Sequence, residues 1–164
     1  MEALYYQPSG KDVLCRLCPH QCLIRDGEAG TCLVRKNEGG KLRSEAYGRV
    51  SAMHSDPVEK KPLYHFHPGR TILSIGTVGC NLRCRFCQNC EISQGGVDDF
   101  PLLPFSSALE VADHARSLPG NLGVAFTYNE PIVWYEYMMD IAREVLANGQ
   151  LTVAVTNGFI NPEP

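Results

Sequence analysis

The chain has 164 residues, a formal net charge of −3 and 44% hydrophobic residues, which fits one ordinary soluble domain with a small appendage. This charge argues against a strongly basic nucleic-acid-binding chain, so we expect no nucleic-acid partner. No apolar run is long enough to span a bilayer, so we expect no membrane partner. The start of the chain lacks a basic end followed by an apolar stretch. No secretory signal is therefore expected, and the predicted location is the cytoplasm.

Residues 1–69 form a Cys-rich N-terminal region in which short strands are predicted. A turn is expected at Glu38-Gly39-Gly40, and alternating stretches at Lys41–Ala46 and Val50–His54 indicate small strands. The segment Asp56–Gly69 contains three prolines and is predicted to be a connector. We place a domain boundary at its end.

Eight cysteines fall in two tight groups, and a reducing compartment favours metal ligation over disulfides. The groups are Cys15, Cys18, Cys22 and Cys32, and Cys80, Cys84, Cys87 and Cys90. The four thiols of the first group suit a structural zinc site or a second iron–sulfur cluster, with both metals left open. His20 is an alternative ligand, and reduced structural cysteines without metal are the other interpretation.

From residue 70 to 164 the pattern becomes strand, loop and helix, repeated. Ser107 and Glu110 form a capping-box pattern, and Pro131 suits the first turn of a helix. The predicted strands and helix starts are, in chain order, Thr71–Ile75, Ser107, Gly123–Tyr128, Pro131 and Leu151–Thr156. This β-α-β-α-β order predicts an α/β fold with a parallel sheet.

Polar motifs follow each of the three predicted strands. The loop Gly76–Pro104 holds the second cysteine group, Asn129-Glu130-Pro131 follows the second strand, and Asn157-Gly158 follows the third. Because functional loops gather at the carboxyl ends of parallel strands, we expect the three motifs on one rim. The third strand would be an apolar open edge, so we expect a fragment of a longer protein or a partner that covers this edge.

The run Cys80-x3-Cys84-x-Phe86-Cys87 resembles the signature of the radical S-adenosylmethionine (radical SAM) enzymes. The resemblance implies a partial (β/α)6 barrel, of which residues 70–164 would form the first half. In that family the three cysteines bind a [4Fe–4S] cluster, and S-adenosylmethionine chelates the fourth iron. Reductive cleavage of S-adenosylmethionine then yields a 5′-deoxyadenosyl radical.

The resemblance also implies roles for four other residues. Phe86 would border the adenine of the cofactor, and Asn129 with Glu130 stands where the family has a Gly-Gly-Glu-Pro element that holds the cofactor's ammonium. Asn157 matches the next rim segment. Alternatively, Glu130 caps the following helix, and Asn157 only forms a turn.

A second cysteine register competes with this assignment. Cys84-x2-Cys87-x2-Cys90 is also typical of electron-transfer ferredoxins. We favour Cys80, Cys84 and Cys87 because the preceding strand, Gly79 and Asn81 fit the radical SAM pattern. Cys90 is then a free thiol beside the site.

Further segments are similar to the radical SAM enzyme of the AmmeMemoRadiSam system, which is related to pyruvate formate-lyase activating enzymes. They are the first cysteine group, Asp56–Gly69, Thr77–Asn81, Thr127–Pro131 and Trp134–Tyr137. This resemblance implies a protein as one class of substrate and an electron donor such as flavodoxin or ferredoxin. The alternative function is a non-catalytic zinc or iron–sulfur binding module that needs a partner or a missing carboxyl-terminal half.

Overall fold

The computed structural model describes residues 1–104 and 106–164. Two short 3-10 helices, Val58–Lys60 and Pro131–Trp134, supplement the regular elements. The strands are β1 (Tyr6–Ser9), β2 (Asp12–Cys15), β3 (Leu23–Ile24), β4 (Arg35–Glu38), β5 (Lys41–Ser44), β6 (Ala52–Pro57), β7 (Thr71–Gly76), β8 (Asn121–Phe126) and β9 (Leu151–Ala154). The helices are α1 (Cys90–Ser93), α2 (Ala108–Ser117) and α3 (Tyr135–Ala147).

The main sheet has the strand order β6-β7-β8-β9, in which β7, β8 and β9 are parallel and β6 is antiparallel to β7. The predicted mixed α/β fold with a parallel sheet is confirmed, and β9 lies at the edge of the sheet. No closed barrel forms within the described ranges. The prediction of a connector from Asp56 is wrong at its start, because Asp56 and Pro57 end β6 and pair with β7.

The predicted helices follow their local signals. Ser107 caps α2 with a reciprocal capping box, in which the Ser107 amide donates to Glu110 Oε2 (2.7 Å) and the Glu110 amide donates to Ser107 Oγ (3.2 Å). Pro131 begins a 3-10 turn, and the α-helical part of that element starts only at Tyr135.

The amino-terminal part forms the three-stranded sheet β1-β2-β3 and the hairpin β4-β5. The hairpin turns at Gly39 and Gly40, both with positive φ, as the sequence predicts. Val13 and Val34 from this part share one buried cluster with Trp134 and Ile141. The main sheet thus takes a strand and part of its core from residues before 70, while the boundary near residue 69 stays a prediction. In the described residues no helix is both long and apolar enough to cross a bilayer.

Candidate metal and cofactor site

The second cysteine group lies on residues 77–89, here named the cluster loop, between β7 and α1. The Gly79 amide donates to the Ile92 carbonyl (2.8 Å), which closes the loop against α1. Gly79 has φ +81°, and a Cβ added there would overlap the Cys32 carbonyl oxygen and lie 2.9 Å from a methyl of Val34. The loop therefore requires glycine at this position and packs tightly against the first cysteine group.

The thiols of Cys80, Cys84 and Cys87 lie close enough together that two of them affect the pKa of the third. Burial raises the pKa of the Cys80 thiol, and the Glu130 carboxylate and the thiols of Cys84 and Cys87 raise it further. The Leu82 amide donates to Cys80 Sγ (3.4 Å). Cys84 is exposed, whereas Cys80 and Cys87 are half-buried. The loop thus presents three neighbouring sulfurs with one side open to solvent.

This donor set fits an iron–sulfur cluster that keeps one open iron. As the side chains stand, no group of three or more His, Cys, Asp or Glu residues within 1–104 and 106–164 is arranged to hold a metal ion. Cys90, the thiol of the competing register, is the first residue of α1 and is exposed. The assignment of Cys80, Cys84 and Cys87 stays a prediction.

Asn129, which follows β8, is hydrogen-bonded to the start of the cluster loop. Its Oδ1 accepts from the Thr77 amide (3.1 Å), and its Nδ2 donates to the carbonyls of Val78 (3.2 Å) and Gly79 (2.7 Å). Asn129 therefore fixes the backbone that leads into Cys80, and both N–H groups of its side chain are used in doing so.

Tyr128 adopts φ +73°, a left-handed conformation that usually favours glycine. Its hydroxyl donates to Asp56 Oδ2 (2.9 Å), and its carbonyl accepts from Asn89 Nδ2 (2.6 Å). Lys61 Nζ also donates to Asp56 Oδ2 (2.9 Å) and lies 4.9 Å from the centre of the Tyr128 ring. A tyrosine held at both ends thus occupies the place that the resemblance gives to a glycine.

Glu130 is buried, and its carboxylate accepts three hydrogen bonds from the protein. Its Oε1 accepts from the Ile132 amide (3.0 Å) and Thr156 Oγ1 (2.7 Å), and its Oε2 accepts from the Asn157 amide (2.7 Å). The carboxylate thus caps the 3-10 helix, as the alternative interpretation holds, and ties the end of β8 to the end of β9. Its contact with a cofactor amine stays a prediction.

Asn157 completes a network that reaches the cluster loop. Its Nδ2 donates to Asn81 Oδ1 (2.9 Å), and Asn81 Nδ2 donates to the Phe159 carbonyl (2.8 Å). His20 Nε2 donates to the Asn81 carbonyl (2.7 Å). The segments after the three parallel strands therefore meet at one rim, and the first cysteine group contacts the same rim through His20.

An open cleft of about 780 Å³ lies beside this rim. Its lining includes His54 and Asp56 from β6, Asn89 from the cluster loop, and Tyr128 and Asn129 after β8. Phe86 is 88% exposed and lies outside this lining, on the outer part of the cluster loop. The cleft offers room for a nucleotide-sized ligand beside the end of the cluster loop, although none of the three thiols lines it.

The four cysteines of the first group surround a small cavity of about 20 Å³. Cys15 and Cys32 are buried, and Cys18 and Cys22 are half-buried. Burial raises the pKa of the Cys32 thiol to about 11, an effect that the nearby Val34 amide and Arg35 guanidinium partly offset. Spacing alone predicted that these thiols share a site, and the structure brings them around one cavity.

Sequence reasoning missed several residues at the rim. Asp56 and Lys61 lie in a segment predicted as a connector, and Asn89 looks like an ordinary loop residue. Arg35 and Glu136, which pair next to the first group, are 101 positions apart. The only sequence feature that could have pointed to Asn89 is the density of polar residues near the cysteines. No local pattern could have identified the Arg35–Glu136 pair.

Comparisons with known proteins agree with this geometry. The sequence model of the radical SAM superfamily matches residues 74–164, more than half of the chain. The chain therefore belongs to the radical SAM superfamily. The narrower resemblance to the AmmeMemoRadiSam system stays a prediction.

Two proteins of Methanocaldococcus jannaschii are similar to the chain. The uncharacterized protein MJ0808 is 40% identical over 166 residues, which cover 99% of this chain and 49% of that protein. The uncharacterized protein MJ0674 is 32% identical over 81 residues, or 49% of this chain and 19% of that protein. The chain thus spans about half the length of MJ0808 and less of MJ0674. No solved structure gives a significant match.

Proposed function

We propose that this chain carries the cluster-binding half of a radical SAM enzyme, with Cys80, Cys84 and Cys87 as the ligands of a [4Fe–4S] cluster. When bound, the cluster supplies one electron for the reductive cleavage of S-adenosylmethionine to a 5′-deoxyadenosyl radical. The sheet β7-β8-β9, with α2 and α3 in its connections, would be the first half of a partial (β/α)6 barrel. The length of MJ0808, about twice that of the matched region, supports this interpretation.

The observation that carries the proposal is the meeting of three separate segments at one rim. Asn129 binds the backbone before Cys80, Glu130 joins the ends of β8 and β9, and Asn157 reaches Asn81 beside Cys80. A loop held from two neighbouring strands keeps its thiols in place while a ligand binds and leaves. This arrangement is what a reactive metal centre with an exchangeable position requires.

Three of the protein's own groups, which do not line the open cleft, would orient the cofactor beside the cluster loop. Glu130 contributes a buried negative charge close to Cys80, which favours the cofactor's ammonium on that side. Asn157 would act on the same side through its bond to Asn81. Phe86, almost fully exposed, offers an apolar face that an adenine ring would cover.

The electron donor would approach the outer side of the cluster loop. Arg83, Cys84 and Arg85 are exposed there. Two cations around an exposed thiol favour an acidic partner, such as a flavodoxin or a ferredoxin. A protein substrate would be the target of the radical in the complete enzyme, as the narrower resemblance implies.

Anaerobic reconstitution tests the proposal directly. The chain is incubated with iron and sulfide, desalted, and analysed for bound metal and for visible absorbance. We expect about four iron and four sulfide ions per chain from the group Cys80, Cys84 and Cys87. Addition of S-adenosylmethionine and a strong reductant should then yield 5′-deoxyadenosine.

The control is the full-length protein MJ0808, which is about twice as long as this chain and is prepared in the same way. If the short chain binds the cluster but only the long chain makes 5′-deoxyadenosine, the cluster assignment stands and the missing half supplies cofactor contacts. If both chains remain colourless and retain no iron, the proposed function is wrong.

A further inference from the structure

The four cysteines of the first group lie before residues 74–164, the part of the chain that the superfamily model matches, and Asn81, Ile132 and Val133 of that part complete the lining of their cavity. Its volume of about 20 Å³ is close to that of a single water-sized sphere. A single metal ion fits this space, whereas a cube of several iron and sulfide ions needs far more room. The size of the cavity therefore favours a mononuclear site over a second cluster.

Arg35 gives an independent sign that the cavity takes a charged ligand. It is 1% exposed and lines the cavity, and its Nε has no hydrogen-bond partner in the described structure. Its other nitrogens are used, because Nη1 donates to Glu136 Oε1 (2.9 Å) and Nη2 donates to the Leu4 carbonyl. A buried N–H donor without an acceptor is costly, and a metal-bound thiolate would accept from it.

From these observations we propose that Cys15, Cys18, Cys22 and Cys32 bind one zinc ion, with Arg35 Nε donating to a bound sulfur. His20 is not needed as a ligand, since its Nε2 is bonded to the Asn81 carbonyl (2.7 Å). The thiols line the cavity without yet forming an arrangement ready for an ion, so they rotate to reach Zn–S distances of about 2.3 Å.

Protons balance this binding step. Each thiol loses its proton to solvent as its sulfur bonds to zinc, so tetrathiolate zinc carries two negative charges. Glu136 already balances the charge of Arg35, so the contribution of Arg35 to this centre would be the hydrogen bond from its Nε to a bound sulfur.

The zinc would stiffen the base of the cluster loop. The Cys32 carbonyl lies where a Cβ on Gly79 would fall, and His20 donates to Asn81 next to Cys80. A metal that fixes residues 15–32 would thus hold one wall against the loop of the second group. This consequence concerns structure and does not depend on radical chemistry in this chain.

The test uses the Cys84→Ala variant of the chain, in which the second group lacks one thiol. Zinc is measured by mass spectrometry after purification, and Co²⁺ then replaces it. We expect one zinc per chain. After replacement by Co²⁺, we expect the intense visible d–d bands and the sulfur-to-cobalt charge-transfer bands of a tetrahedral tetrathiolate site. Arg35→Lys in this background should weaken zinc binding about 10- to 100-fold.

Adding Cys22→Ser should abolish the tetrathiolate spectrum, and adding Cys90→Ser should leave it unchanged. Circular dichroism checks that each variant is folded, and the Co²⁺ spectrum of the Cys84→Ala chain decides the question even if Cys22→Ser does not fold. Absence of zinc together with no tetrathiolate spectrum overturns the proposal. A second result would also overturn it: iron and sulfide that stay bound to the Cys84→Ala chain and are lost when Cys22→Ser is added. That result would place an iron–sulfur cluster in the first group.

Discussion

The two cysteine groups differ in how far water reaches their sulfurs. In the first group, Cys15 and Cys32 are buried around a cavity of about 20 Å³. In the second group, Cys84 is exposed on a loop beside a cleft of about 780 Å³. Closed sets of four ligands are typical of structural metals, and open sets of three are typical of reactive ones. Similar cysteine counts therefore support opposite roles in one chain.

The surroundings of the groups differ in the same sense. A buried ion pair, Arg35 with Glu136, lies next to the first group and anchors β4 to α3. Mostly neutral polar side chains, such as Asn81, Asn129 and Asn157, hold the second group. Substitutions can therefore perturb each group separately.

The largest effect is expected from removing a thiol of the second group. Cys84→Ala should empty the [4Fe–4S] cluster and abolish formation of 5′-deoxyadenosine, since three thiolates are the minimum set of protein ligands. Because Cys84 is exposed, the free energy of unfolding of the cluster-free chain should hardly change. Iron analysis and chemical denaturation measure the two outcomes.

Matched single variants decide the register. Cys80→Ala should empty the cluster, whereas Cys90→Ala should retain it. The reverse pattern, with loss of iron only in Cys90→Ala, would assign the cluster to the ferredoxin-like register.

The next largest effect concerns the buried ion pair beside the first group. In the zinc-free chain, Glu136→Ala should reduce the free energy of unfolding by about 3–5 kcal/mol, because Arg35 would be left as a buried charge without a carboxylate partner. The Leu4 amide would also lose its bond to Glu136 Oε1 (2.7 Å). Urea denaturation at neutral pH measures this change. The control is Asp113→Ala, which breaks the exposed pair with Arg116 and should cost less than about 1 kcal/mol.

Local patterns in the sequence predicted the three parallel strands after residue 70, the helices α2 and α3 between them, and the capping box at Ser107. These features depend on neighbours within a few positions, so a single sequence records them. The pair Arg35–Glu136 and the pairing of β6 with β7 join residues far apart in the chain. The left-handed Tyr128 depends on Asp56, which is 72 positions away. Such contacts follow from the packed fold, and no local pattern encodes them.

A glycine substitution tests whether the two groups are in contact. Gly79→Ala and Gly69→Ala both place alanine at positive φ, at +81° and +76°, which costs about 1–2 kcal/mol in each case. Only at Gly79 would the new Cβ overlap Cys32, whereas nothing lies within 4 Å of it at Gly69. Gly79→Ala should therefore cost about 1–3 kcal/mol more in urea denaturation. Equal losses in the free energy of unfolding for the two variants would mean that the two cysteine groups are not in close contact.

The smallest expected effect is that of the Tyr128 hydroxyl. Burial opposes ionisation of Asp56, but hydrogen bonds from Lys60, Lys61 and Tyr128 outweigh it and hold the pKa of that carboxyl well below its usual range. Tyr128→Phe removes one of these bonds and should cost about 1.5 kcal/mol at neutral pH.

The effect of Tyr128→Phe should depend on pH through the ionisation of Asp56. A lowered pKa in the folded state stabilises the protein above the unfolded-state pKa of about 3.9, and this contribution is lost as the pH falls through the folded-state pKa. The stability gap between the unsubstituted chain and the Tyr128→Phe variant should therefore be constant near neutral pH and shrink in strong acid, once Asp56 is protonated in both. Urea denaturation of both chains between neutral and acidic pH measures the gap. A gap that does not change with pH would show that the hydroxyl acts through packing, and the rim would then not depend on the charge of Asp56.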